Sequence, residues 1–136
     1  MAAQTLLASA ARTATATSEL VRQAPVDRNR GAMLILDITA TPNNTETLTP
    51  SIEVYDTASG KYQALTAFKA TKKGEEIGAT STTTTLLYSL YPGGAETEAV
   101  ANHEVFALPL PGFWRAKVTH SSTGSWTYSL SYQTLS

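Results

Sequence analysis

The 136-residue chain carries 10 Lys and Arg against 11 Asp and Glu, a formal net charge of −1, and it has no Cys. That length suits one domain burying roughly two-thirds of the surface its unfolded chain exposes, and the missing thiols exclude a disulfide framework, thiol catalysis and a thiolate-bound structural zinc. The near-neutral balance offers no clustered basic patch for nucleic acid, and no apolar run approaches the roughly 18 residues of a membrane-spanning helix.

Only 15% of the residues are charged, whereas Thr alone occurs 22 times, so the expected surface is neutral and rich in hydroxyls. The opening "MAAQTLLASAARTATA" has the small residues of a signal peptide but neither a basic n-region nor a sustained apolar run. It is therefore read as part of the mature protein, made in the cytoplasm. Residues 1–30 form an expected extended N-terminal arm, with strand-like runs at Thr5 to Ala11 and Glu19 to Arg22. Leu6, Leu7, Leu20 and Val21 stand among small residues, and Arg12, Arg22, Arg28 and Arg30 outnumber Glu19 and Asp27. This pattern suits apolar anchoring plus pairing with an acidic neighbour; the plainer alternative is a set of solvated charges.

The run "AMLILDITA", Ala32 to Thr39 with its flank, is apolar at both parities and is expected as a central strand buried on both sides. Asp37 in it would then need a hydrogen-bond partner, from a turn or from Arg115. After the turn cluster "TPNNTETLTP" come strand runs Ser51 to Asp56 and Lys61 to Phe68, joined by "DTASGK". "TKKGEEIGATSTTTT" reads as a mobile connection or extended edge strand, Thr84 to Tyr91 as a strand ended by "YPGG", and "ETEAVANHE" as a short helical turn. In "FWRAKVTHSSTGSWTYSLSY", Trp114, Ala116 and Val118 alternate with Arg115, Lys117 and Thr119, while Trp126, Tyr128, Leu130 and Tyr132 alternate with hydroxyls. Two period-2 runs around "SSTG" predict a β-hairpin. The whole pattern predicts an all-β fold, a two-layer antiparallel β-sandwich, jelly-roll-like, over residues 31–136.

Chemistry is sparse. His103 and His120 lack metal-ligand spacing, and Glu96, Glu98 and Glu104 sit on one loop without a set of partners, so no catalytic residue, metal or cofactor is expected. Trp114, Trp126, Tyr128 and Tyr132 fall in register with core positions. Tyr55, Tyr62, Tyr88 and Tyr91 lie near strand ends; a sugar-binding function would need at least two such rings on a shared exposed face.

The order of motifs "TLLASAARTATATS", "LDITA", "PSIEVYDTASGKYQAL", "LLYSLYPG" and "LPLPGFWRAKVTHSSTGSWTYSLSY" resembles a group of small structural proteins of tailed bacteriophages. The resemblance spans nearly the whole chain, with the "SGKY" turn, "LYPG" and the "LP…WR" segment as its most specific marks. It implies a virion structural protein, a capsid decoration (cement) protein that binds the major capsid protein lattice. A trimer or other cyclic homo-oligomer, docked through residues 1–30 on the capsid surface, is the expected form. No nucleic acid or membrane partner is expected. The alternative is a tail-associated or carbohydrate-binding virion module.

Overall fold

A computed structural model describes residues 4–22, 31–42, 46–68, 71–72, 84–90, 97–100, 103–107 and 111–134. Its strands are β1 (Gln4–Arg12), β2 (Ala16–Thr17), β3 (Val21–Arg22), β4 (Ala32–Ala40), β5 (Thr47–Asp56), β6 (Lys61–Ala67), β7 (Thr71–Lys72), β8 (Thr84–Leu90), β9 (Thr97–Val100), β10 (His103–Phe106), β11 (Phe113–His120) and β12 (Trp126–Thr134). The first sheet runs β1-β12-β4-β8-β10-β9 and the second β2-β11-β5-β6, with β3 on β11 and β7 on β5. The chain is an all-β sandwich. Setting aside the short strands β7, β9 and β10, and taking β2 and β3 as one interrupted strand, the eight remaining strands form two four-stranded sheets in the jelly-roll order, with only β5 and β6 consecutive in one sheet.

Alternation builds the core. Leu34, Leu36 and Ile38 of β4 and Trp126, Tyr128 and Leu130 of β12 face in from the first sheet, all at 1% exposure or less. Leu48 and Ile52 of β5, with Trp114, Ala116 and Val118 of β11, face them from the second. Trp114 and Tyr132 meet edge to face across the gap, with ring centroids 5.2 Å apart.

Several expectations are corrected. The segment around "SSTG" is no hairpin: β11 pairs with β5, whereas β12 pairs with β1 and β4, so residues 121–125 cross from one sheet to the other. The physical reason is that both apolar rows are needed on opposite walls of one core. β4 is central, but its alternate residues Met33, Ile35 and Asp37 are only half-buried, on the outer face. Asp37 accepts a hydrogen bond from Thr85 Oγ1 at 3.2 Å rather than from Arg115, which pairs with Glu53. "ETEAVANHE" supplies strands β9 and β10 where a helical turn was expected, because β10 adds to the open edge of β8 in parallel. β5 starts at Thr47, before Pro50. The proline fits because Pro50 lies between the stretches of β5 that pair with β7 and with β6, and its carbonyl accepts from Phe68 N at 2.9 Å.

The expected arm is, over residues 4–22, sheet: β1 borders the first sheet and β2 with β3 borders the second. Its own stickiness is satisfied at home, since Leu6, Leu7 and Val21 pack against the core. Residues 23–30, with Arg28 and Arg30, lie outside the described residues, as does most of "TKKGEEIGATSTTTT".

Candidate interaction surface

The N-terminal stretch makes two unlike environments. At its far end, β1 bulges between Leu7 and Ala10, which interrupts the ladder to β12. Arg12 fills the break. One terminal nitrogen donates to Tyr128 O at 2.8 Å and Ala10 O at 3.3 Å, and the other donates to Ala8 O. Its guanidinium also lies 4.8 Å from the centre of the Tyr128 ring. The Tyr128 hydroxyl meets His120 Nε2 at 2.8 Å, while His120 Nδ1 is buried without a partner among the described residues. Burial, opposed by Arg12, pushes the Tyr128 phenol up to about 12. Burial first and the Arg12 charge second hold His120 below the ordinary imidazole value, against a smaller upward pull from Glu46. Glu46, 7% exposed, accepts from Gly124 N at 2.7 Å, and Ser121 and Thr47 exchange two further bonds, which ties the sheet-to-sheet crossing to the start of β5.

The other environment is open. Between β2 and β3, Ser18 is buried and pairs twice with Ala116, through Ser18 N to Ala116 O and Ala116 N to Ser18 Oγ, both 2.9 Å. This pin fixes where the edge strand breaks and lets Glu19 and Leu20 stand away from β11. With Gln4, Thr5, Leu6, Val21, Arg22 and Tyr132 they line an open cleft of about 460 Å³ between the edges of the two sheets. Tyr132 Oη donates to Gln4 Oε1 at 3.2 Å, and the Arg22 guanidinium rests 5.6 Å from the Phe113 ring centre. Of the arm residues singled out in the sequence, Leu6, Leu20, Val21 and Arg22 thus share one cleft. Leu7 sits opposite Leu130 and serves the core, and Arg12 serves the bulge. Ser18 and Glu46 were missed; a Ser between two strand-like runs and a Glu inside a turn cluster look like ordinary loop residues in one dimension.

A third feature lies on the outer face of the second sheet. Tyr55 and Tyr62 are cross-strand partners with ring centroids 4.9 Å apart and planes tilted by 51°. Arg115 Nε donates to Glu53 at 2.7 Å, and its guanidinium lies 3.6 Å from the Tyr62 ring centre. Lys117 approaches the same carboxylate at 3.8 Å. Trp114 and Trp126 are buried, so they offer no outer surface. Glu104 is buried beside Tyr88, whose phenol burial and that carboxylate push up. Glu96 and the side chains of Glu98 and His103 lie outside what is described. Among the described residues no three His, Asp or Glu gather as metal ligands do.

Against known protein families, curated proteins and solved structures, this chain finds no match.

Proposed function

We propose that the chain is a bacteriophage virion structural protein, a capsid decoration (cement) protein that binds the assembled head shell and stabilises it. One observation carries the reading: the cleft at the free edges of both sheets gathers Leu6, Leu20, Val21 and Arg22 beside Glu19 and Tyr132. Aliphatic walls, one cation and one anion suit an extended peptide segment of a shell subunit, whose main chain gains hydrogen bonds and whose side chains find pockets. Weak single contacts suffice, because many copies on one lattice, each a trimer, sum to firm attachment. The jelly-roll architecture recurs in viral shells and in lectins, which is support by fold-level analogy.

Sedimentation of the purified protein with undecorated heads and, separately, with tails tests this. Retention on heads that falls sharply in Leu20→Asp and in Arg22→Ala is expected. Retention on tails alone, or head binding untouched by both changes, overturns it. The second reading, a carbohydrate-binding virion module, is favoured by the Tyr55 and Tyr62 pair on a different surface.

A further inference from the structure

We propose that the outer face of the second sheet is a saccharide-binding site, with Tyr55 and Tyr62 as its stacking walls and Arg115 and Glu53 as its polar grip. This deepens the carbohydrate reading, and it does not require docking to a shell. The starting point is where the aromatic rings lie. Among the described residues every ring except Phe113, Tyr55 and Tyr62 packs in or against the core. These three fall in one outward row. Tyr55 and Tyr62 face each other across β5 and β6, and Phe113 and Tyr55 each lie one residue beyond the Trp114 and Val54 pair. Neighbouring strands are about 4.8 Å apart, close to the length of one pyranose, so a linear saccharide crossing the strands meets successive rings.

The polar groups fit the same ligand. Arg115 reaches over β5 between Tyr55 and Glu53, and the Glu53 carboxylate fixes it through Nε alone. Its two terminal amino groups have no partner among the described residues, so four N–H donors stand ready above Tyr62. Glu53 supplies the complementary acceptor and Lys117 a further donor. Vicinal hydroxyls use such paired donors and acceptors, while the apolar face of a sugar ring covers an aromatic surface. A nucleic-acid strand fits less well, because Glu53 between Arg115 and Lys117 offsets one of the two cations and leaves a weak grip on phosphate. All six side chains stand on β-strands, which hold them in place before binding.

The full-length protein is to be screened on a glycan array of neutral, amino and acidic saccharides, with a single-stranded oligothymidylate as the nucleic-acid arm. The best saccharide is then titrated by calorimetry. The expected result is specific retention of at least one saccharide, about tenfold or more weakening in Tyr62→Ala and in Arg115→Gln, and near-native affinity in Tyr62→Phe, which keeps the ring. Thermal unfolding that stays cooperative in each variant shows that the sheet is intact, and head sedimentation by Tyr62→Ala separates this site from the cleft. No retention across the array, binding of oligothymidylate alone, or saccharide affinity unchanged in both Tyr62→Ala and Arg115→Gln overturns the proposal.

Discussion

Arg12 and Arg22 are the same residue type in the same N-terminal stretch, yet one is consumed by the fold and the other faces a cleft. Arg12 ends the bulged strand β1, and its donors are spent on the carbonyls of Ala8, Ala10 and Tyr128. Arg22 ends a two-residue strand at an open edge, with its guanidinium 5.6 Å from the centre of the Phe113 ring. The difference shows that a row of arginines is not one electrostatic feature. Which of them is tied into the fold is decided by the backbone acceptors within its reach.

Three substitutions sharpen this contrast. Arg12→Ala strips a charged donor from three carbonyls and should cost about 2–3 kcal/mol, given the usual worth of hydrogen bonds to charged groups. A loss of unfolding free energy, from urea titration, of less than about a quarter of that would mean that water replaces the guanidinium without loss. Gly124→Ala comes next. An added Cβ would collide with the Glu46 carboxylate, coming 2.7 Å from its carbon, so Glu46 must leave its bond to Gly124 N. About 1–2 kcal/mol of destabilisation is expected, since the part-buried Gly124 N–H loses its charged partner, and Glu46→Gln in the same background should recover none of it. Arg22→Ala, in contrast, should leave the unfolding free energy from urea titration within about 0.5 kcal/mol of the native value, as exposed surface changes do. A loss as large as that of Arg12→Ala would erase the distinction between the two sites.

The sequence carried the architecture further than the site. Strand-like runs located β1, β4, β6, β8, β11 and β12 nearly to the residue, and the period-2 alternation was clean in β11 and β12, where one face is core and the other is not. The turn in "DTASGK" was equally legible. Asp56 accepts from Ala58 N and Ser59 Oγ, and Gly60 takes φ +72°, a backbone conformation that favours glycine. Pairing was not legible. Two alternating runs around a short polar link suit a hairpin and a crossing between sheets equally well, and only the need for Trp114 and Tyr132 to face each other selects the crossing. The short strands β2, β7, β9 and β10 have too few residues for a periodic pattern, so their places are set by open edges elsewhere. The residues of the cleft were named from composition, but their convergence depends on Ser18, whose two bonds to Ala116 have no counterpart in local sequence.

The smallest expected effect concerns the closed end and its response to acid. His120 is part-buried, with Nε2 on the Tyr128 hydroxyl, Nδ1 without a partner among the described residues, and the charged groups Arg12 from β1 and Glu46 from the approach to β5 facing it. Protonation would make both ring nitrogens donors, although Nδ1 has no acceptor among the described residues, and would put a positive charge beside Arg12. The folded imidazole therefore binds its proton less readily than the unfolded one, whose value is near 6.5. The unfolded state then holds more protons in this range, so stability rises with pH and reaches its full value above about 6.5, and it declines as pH falls below that point. Urea midpoints measured from about pH 7.5 down to about pH 5 should fall in the native protein. The part of that fall due to His120 should vanish in His120→Gln, which keeps a neutral donor near Tyr128. Tyr128→Phe removes the hydroxyl but leaves the buried Nδ1 and the Arg12 charge, so it should retain most of the acid sensitivity. An identical slope in His120→Gln and the native protein would assign the acid response to the carboxylates and remove His120 from any account of it.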